Sequence, residues 1–134
     1  MSTETSTPTE VMDSVWATFA AGDGPKVPDL YFTEDATIKV EGAPHVPFVG
    51  TFSGREAQRE FFDLGGARAE KFEVKKYIAQ GEDVITLGEF RFLVTATGRH
   101  YEGDWALHTT VVDGKITGWQ MFENSWSVGK SFDE

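Results

Sequence analysis

Two strand-like runs near the end of the chain are joined by Asp113-Gly114, and this pair constrains the fold more than any other feature. Asp-Gly between two alternating runs is the strongest short-range signal for a β-hairpin. Alternation places Trp105 and Leu107 on one face of the first strand, and it places Trp119 and Met121 on one face of the second. A sheet face with this much tryptophan must be covered, and incomplete cover leaves a pocket for an apolar ligand.

Helical signals come before the strands along the chain. Thr7-Pro8-Thr9-Glu10 has the pattern of a capping box and precedes an apolar stripe, so we predict a first helix over residues 8–21. Further helical segments are predicted over residues 28–32 and from residue 55 to Gly65-Gly66. Strands are predicted over residues 36–40, 70–79, 83–96, 100–112 and 115–126. Helices followed by runs of strand indicate an α+β protein with its helices packed on one face of a sheet.

Length and composition fit one compact domain. We predict a disordered tail over residues 1–7, one domain over residues 8–128 and a C-terminal tail over residues 129–134. The excess of acidic over basic residues, 22 against 12, argues against nucleic acids and anionic membrane surfaces as partners. The lack of cysteine excludes disulfides and thiol nucleophiles. Without a secretory signal or an apolar run of about 20 residues, a soluble cytoplasmic protein is expected.

Several short motifs follow one another in a recognisable order. They are Leu30-Tyr31-Phe32-Thr33-Glu34-Asp35-Ala36-Thr37, Gly50-Thr51-Phe52-Ser53-Gly54-Arg55-Glu56 with Phe61-Phe62, Thr97-Gly98-Arg99, Asp104-Trp105 and Asp113-Gly114-Lys115-Ile116. Together they resemble the SnoaL-like branch of the NTF2-like superfamily, which includes ketosteroid isomerase, limonene epoxide hydrolase and polyketide cyclases. The resemblance implies a cone, in which a curved mixed sheet and the N-terminal helices enclose an apolar cavity. It also implies a homodimer through the sheet, as in many members.

The catalytic patterns of two of these enzymes are not matched. Ketosteroid isomerase needs a general base, a tyrosine and a protonated aspartate, and the corresponding positions here are Val40, Val15 and Leu107. Limonene epoxide hydrolase uses an Asp-Arg-Asp arrangement. Its three positions correspond here to Phe90, Gly88 and Met121. Neither mechanism is therefore expected, and function has to be argued from the site.

Glu123 is the main candidate for chemistry. In the related polyketide cyclases an acid/base aspartate is expected near the end of the last strand, where this chain has Glu123-Asn124. A carboxyl group beside Trp119 and Met121 would have a raised pKa and could transfer protons near neutral pH. Two alternatives stay open. The strand end is solvated, or the carboxylate pairs with an arginine such as Arg91 or Arg99. A register slip of one residue would also exchange Glu123 for Asn124.

The three histidines give one further candidate. His45 lies in a proline-rich and glycine-rich loop over residues 42–50, where it could act as a base or hydrogen-bond donor. The alternative is an exposed loop histidine. His108 and Asp104 lie on the polar face of their strand, which is more typical of solvent or of a dimer interface. Scattered histidines do not form a metal site, so we expect no metal and no cofactor.

The predicted cavity lining is mostly aromatic. We assign substrate binding to Trp16, Val40, Phe90, Phe92, Trp105, Leu107, Trp119 and Met121. Gly88 and Gly103 on the inward face would leave room or allow bending. Such a pocket suits a lipophilic small molecule and cofactor-free acid/base chemistry of the isomerase, cyclase or hydrolase type. A non-catalytic ligand-binding module and a protein-interaction role like that of the nuclear transport factor are the alternatives.

Overall fold

The computed structural model describes residues 6–63 and 67–133. Within them the chain forms α1 (Pro8–Ala20), a short 3₁₀ turn (Gly24–Lys26), α2 (Val27–Tyr31), β1 (Phe32–Val40), β2 (Gly50–Ser53), α3 (Arg55–Asp63), β3 (Ala67–Gln80), β4 (Asp83–Val94), β5 (His100–Val112), β6 (Lys115–Phe122) and α4 (Ser125–Ser131). The predicted helix end at Gly65-Gly66 and the first five residues of the predicted tail lie outside the described residues.

The strands of the described chain form one curved, unclosed sheet in the order β2-β1-β6-β5-β4-β3. Neighbouring strands are antiparallel except for β1 and β6, which are parallel, so the sheet is mixed. Register shifts interrupt β3 against β4 and β5 against β6, and such bulges increase local twist. This architecture confirms the predicted α+β class and the NTF2-like cone with its N-terminal helices.

The hairpin predicted from Asp113-Gly114 is present. Val112 pairs with Lys115, and the two turn residues have φ values of 50° and 78°. Positive φ at both central positions is typical of a type I′ turn, whose twist matches that of the flanking strands. This turn fixes which residues of β5 and β6 face the interior.

The first helix covers the inner face of the sheet. Its predicted capping box forms, because the Thr7 hydroxyl accepts from the Glu10 N–H at 3.3 Å and the Glu10 carboxylate accepts from the Thr7 N–H at 2.8 Å. The apolar side chains of Val11, Met12 and Val15 are buried against the sheet. The neighbouring Trp16 of α1 packs against the same core.

Helix α3 is attached to the start of β1 by two polar side chains. The fully buried Gln58 donates from its amide to the carbonyls of Thr33 at 3.0 Å and Ala36 at 2.9 Å. Arg55 donates to the carbonyl of Phe32 at 3.0 Å. These bonds satisfy backbone acceptors where the β1–β6 register shifts, which buried carbonyls require. They hold α3 over the sheet.

The structure corrects the predicted elements at several places, and β1 begins at Phe32 rather than at residue 36. The predicted loop over residues 42–50 is followed by β2, a short strand that the sequence analysis did not identify. The last predicted strand ends at Phe122 rather than at residue 126. Residues 129–131 are not a tail but belong to α4, in which Gly129 and Ser131 are buried. No helix in residues 6–63 and 67–133 is long and apolar enough to cross a membrane.

Candidate functional site

A cavity of about 220 Å³ lies inside the cone, between the helices and the inner face of the sheet. Its lining side chains come from seven elements, from the loop before β2 and from the residue that follows β6. They are Trp16, Phe19, Val40, Phe48, Phe61, Phe62, Ala67, Phe72, Phe90, Phe92, Tyr101, Trp119, Met121 and Glu123. Ten of these side chains are aromatic, which makes the cavity a ring-lined chamber with few polar groups.

The aromatic rings of the lining contact one another. Trp16 lies 6.1 Å from Trp119 between ring centroids, and Trp119 lies 5.4 Å from Phe62 in an edge-on arrangement. On the neighbouring strands β4 and β5, Phe92 stacks on Tyr101 at 5.2 Å. Offset and edge-on pairs are favourable geometries for aromatic groups, and they fix the positions of the walls. The chamber is therefore largely pre-formed.

A second chamber of about 540 Å³ adjoins the first, between α1 and β3. It shares Trp16, Phe19, Phe72 and Phe92 with the first chamber, and its remaining lining consists of Ala20, Ala69 and Val74. Phe72 is 42% exposed, so this chamber reaches the protein surface. The two chambers therefore share one aromatic wall.

Glu123 is the acidic residue of the cavity lining. It follows β6 directly, and one of its carboxylate oxygens (Oε2) is buried without a hydrogen-bond partner among the described residues. Burial raises the pKa of this carboxyl group to about 7, because the apolar surroundings disfavour its charged form. A group with this pKa exchanges protons readily near neutral pH.

The arginines considered as partners for Glu123 are engaged elsewhere. Arg91 contacts Glu102 at 2.9 Å and Glu70 at 3.1 Å. Arg99 donates to the backbone carbonyl of Lys130 at 3.1 Å. The structure thus gives Glu123 no arginine partner within the described residues, and it leaves the carboxyl group to the cavity.

The register of the last strand favours Glu123 over Asn124. Val40 of β1 pairs with Met121, so the cavity face of β6 runs through Met121 to Glu123. Asn124 instead begins α4, where its side chain accepts from the Ser127 N–H at 3.1 Å. Asparagine is a preferred residue at this helix position. The capping role of Asn124 therefore fixes which of the two side chains lines the cavity.

Tyr101 is a second polar residue of the lining, and the sequence analysis missed it. Burial raises the pKa of its phenol, and the negative charge of Glu123 adds to the rise. The phenol therefore stays protonated and can donate a hydrogen bond. Tyr101, Gly103 and Trp105 alternate along β5 on one face, so the same periodicity that located Trp105 would have located Tyr101.

Six of the eight predicted binding residues line the cavity: Trp16, Val40, Phe90, Phe92, Trp119 and Met121. The other two, Trp105 and Leu107, face the interior but lie outside the lining. Leu107 is fully buried in the core. The Trp105 ring lies over Gly88, where an added Cβ would be 2.3 Å from the ring. Gly88 therefore makes room for Trp105 and not for a ligand.

His45 is not part of the cavity lining. Its Nε2 lies 2.9 Å from the Gly129 carbonyl and 3.0 Å from a carboxylate oxygen of Asp133, so it joins the loop before β2 to α4. The structure therefore places His45 in a contact between this loop and α4, outside the cavity lining. His108 lies 2.9 Å from Asp83 on the outer face. Among the described residues no cluster of histidines and carboxylates is able to hold a metal ion.

The family profile of the SnoaL-like domain matches residues 13–119 of this chain. The chain belongs to the SnoaL-like family. No curated protein sequence matches it. The matched region ends before Glu123, so the family assignment is independent of the proposed catalytic residue.

Solved structures similar to this SnoaL-like chain share its fold at low sequence identity. An NTF2-like protein from Burkholderia xenovorans LB400 is 22% identical over 97% of this chain and 100% of its own, with a TM-score of 0.85. A candidate SnoaL-like polyketide cyclase from Mesorhizobium loti is 20% identical over 88% and 100%, with a TM-score of 0.72. TerC, co-crystallised with polyporic acid, is 21% identical over 93% and 97%, with a TM-score of 0.76.

Proposed function

We propose that this SnoaL-like protein carries out cofactor-free acid/base chemistry on a lipophilic small molecule. The observation that carries the proposal is the carboxyl group of Glu123, which has no partner among the described residues and lies in a ring-lined cavity. Its pKa of about 7 leaves both protonation states populated at neutral pH. One side chain can then accept a proton from a substrate and return it to another atom, as an isomerase or a cyclase requires.

Tyr101 supports this chemistry from the same cavity. Removing a proton from a carbon beside a carbonyl group leaves negative charge on oxygen, and a hydrogen-bond donor stabilises that charge. The phenol of Tyr101 stays protonated and lines the chamber together with Glu123. We assign proton transfer to Glu123 and hydrogen-bond donation to Tyr101.

The lining favours a flat, ring-containing substrate. Aromatic walls offer extensive contact to a conjugated or polycyclic molecule and few hydrogen bonds, so shape and apolar area dominate binding. The likeness to a candidate polyketide cyclase and to TerC, a protein co-crystallised with polyporic acid, supports this class. We therefore propose an aromatic or polyketide-like substrate.

A non-catalytic ligand-binding module is the second candidate. It is favoured by the apolar side chains of Val15, Val40 and Leu107 at the positions that carry the isomerase machinery. In that case Glu123 would orient a ligand without moving protons. Both candidates use the same cavity, and the test below separates them.

The first experiment is a thermal-shift screen against steroids, aromatic polyketides, terpenoid epoxides and fatty acids. A ligand at 100 times its dissociation constant adds about 2.7 kcal/mol to the free energy of unfolding, which shifts the melting temperature by several degrees. Any hit is then tested for turnover with the wild-type protein, Glu123→Gln and the exposed control Glu60→Gln. We expect Glu123→Gln to bind the hit and lose turnover, while Glu60→Gln keeps both.

Two outcomes would contradict the catalytic assignment. Full turnover by Glu123→Gln would remove Glu123 from the mechanism. Binding without turnover in the wild-type protein would favour the binding module instead. No shift for any compound class would remove the support for a lipophilic ligand altogether.

We also propose that the protein forms a homodimer through the outer face of its sheet. Leu87, Ala106 and Phe122 align across β4, β5 and β6, and Phe122 is 50% exposed. An exposed apolar strip surrounded by charges is typical of an interface. Light scattering should give twice the mass of the chain, and Phe122→Asp should return the monomer mass.

A further inference from the structure

The cavity carries an acidic group but no basic one. Its lining contains one carboxyl group, that of Glu123, and among the described residues it contains no lysine, arginine or histidine. A carboxylate that leaves water without gaining a cation is costly, and it holds a proton until a cation arrives. The chamber therefore lacks a positive partner for Glu123, and a ligand is able to supply one.

The walls of the cavity favour a positive charge as well. The ten aromatic side chains of the lining have negatively polarised faces, and a cation within about 6 Å of such a face is attracted to it. Indole is the strongest of these groups, and both Trp16 and Trp119 belong to the lining. In a chamber of about 220 Å³, a cation beside Glu123 has aromatic rings on its other sides.

The charge of the whole molecule acts in the same direction. The chain carries a formal net charge of −10 at pH 7. A negative protein raises the local concentration of cations and speeds their association. The apolar second chamber between α1 and β3 adjoins the inner cavity and adds apolar surface for the lipophilic part of such a cation.

We propose that the cavity binds lipophilic amines in their cationic form, with the ammonium group between the Glu123 carboxylate and the aromatic walls. This inference rests on the proposed function only in using the same cavity. The amine takes the place of the proton on Glu123. A bound cation therefore excludes the protonated form of the side chain and competes with a neutral substrate.

The titratable groups that face Glu123 make the pH dependence simple. Tyr101 of β5 is the other titratable residue of the lining, and its raised pKa keeps it neutral in the range of the experiment. The side chains that α1, α3, β1, β3, β4 and the loop before β2 contribute to the cavity are all uncharged. The part of the pH dependence of cation affinity that disappears in Glu123→Gln therefore reports Glu123.

The test compares two probes of nearly equal shape, benzyltrimethylammonium and neopentylbenzene. The first has a permanent charge that does not titrate, and the second replaces its nitrogen with carbon. Binding to the full chain is measured by tryptophan fluorescence and calorimetry between pH 5 and pH 9. Because the binding-competent carboxylate is a minor form at low pH, the cation should bind about a hundredfold more weakly at pH 5 than at pH 9. Neopentylbenzene should not lose affinity toward pH 5.

Glu123→Gln keeps the shape of the side chain and removes its charge. In this variant the cation should bind weakly at every pH, while neopentylbenzene binds as in the wild-type protein and Glu60→Gln behaves as wild type. Calorimetry in buffers of different ionisation enthalpy should also show proton release when the cation binds to wild-type protein at pH 7.

Three results would overturn the inference. Equal cation affinity in Glu123→Gln and wild type at pH 9 would exclude the carboxylate as the cation partner. Binding of neopentylbenzene without the cation would refute the amine class and leave the proposed lipophilic pocket intact. Binding of neither probe would refute the inference. It would also count against a lipophilic ligand, and the compound screen described above tests that proposal separately.

Discussion

The two faces of the sheet shift the pKa of a glutamate carboxyl group in opposite directions. On the outer face Glu89 lies between Lys71 at 2.7 Å and Lys75 at 2.9 Å, and their hydrogen bonds lower its pKa to about 2. On the inner face Glu123 lies among aromatic rings, and burial raises its pKa to about 7. The surroundings, and not the residue type, decide whether a carboxyl group is a fixed charge or a proton carrier.

The raised pKa of Glu123 on the inner face is accompanied by a loss of folded-state stability. A buried carboxyl group without a hydrogen-bond partner among the described residues costs free energy that an apolar side chain at the same place would have kept. The outer face loses nothing of this kind, because its charges lie in solvent and pair with one another. Such a cost concentrated at one site is typical of function.

The largest expected effect comes from removing an inner-face ring. Trp119 is 4% exposed and contacts Trp16, Phe32 and Phe62, so Trp119→Ala should lower the free energy of unfolding by about 3–5 kcal/mol. The matched control is Trp126→Ala, because Trp126 is 74% exposed and contacts Lys130 through its ring. Urea denaturation should give a loss below about 1 kcal/mol for the control. Equal losses would contradict the contrast between interior and surface.

The pH dependence of stability should separate the two carboxyl groups by sign. The pKa of Glu123 rises from 4.5 to about 7 on folding, so the folded state binds the proton more tightly. Its contribution is complete below pH 4.5 and is lost as the pH rises through 7, by about 3 kcal/mol. For Glu89 the pKa is lowered, so its contribution is complete above pH 4.5 and is lost as the pH falls toward 2.

Urea midpoints of wild type, Glu123→Gln and Glu89→Gln between pH 3 and pH 9 measure this difference. Relative to wild type, Glu123→Gln should become more stable as the pH rises. Glu89→Gln should be less stable than wild type at neutral pH, and this difference in the free energy of unfolding should disappear as the pH falls. A Glu123→Gln curve parallel to that of wild type would mean that the side chain titrates normally.

A smaller effect is expected at the glycine beneath Trp105. A Cβ on Gly88 would lie 2.3 Å from both the Trp105 ring and the Glu73 carbonyl, so Gly88→Ala should cost about 1–3 kcal/mol. Gly118→Ala is the control, since its nearest atom would be the Thr110 hydroxyl at 3.9 Å. Thermal unfolding measures both. A control as destabilised as Gly88→Ala would point to general strand effects instead of the ring contact.

Local signals explain what the sequence predicted correctly. Thr7 and Glu10 lie three residues apart, and Asp113-Gly114 joins adjacent strands. The interactions that stabilise each motif therefore lie within the motif itself. The alternation that follows the hairpin placed Trp119 and Met121 on the cavity face with Glu123 behind them. Short-range chemistry therefore predicted both the fold class and the central group of the candidate site.

Distant contacts explain what the sequence did not show. Strand β2 has four residues and depends on pairing with β1, so it has too few positions for a periodic pattern. Helix α4 has seven residues, and its last carbonyls accept from His45, Arg99 and Thr97 of two separate loops. Trp105 fills the space above Gly88 only because the sheet brings the two together. The alternation along a strand predicts which face of the sheet a side chain lies on, but it does not predict which distant residues that side chain contacts.

The parallel pairing of β1 with β6 has a consequence for synthesis of the protein. Thr37 pairs with Gly118 and Ile38 pairs with Trp119. The centre of the sheet is therefore complete only after the first and the last strand have paired. Contacts this distant in sequence slow folding, and a chain leaving the ribosome cannot form them until β6 has emerged. The ring-lined chamber and the centre of the sheet must therefore form together, and until then β1 has only its local partner β2.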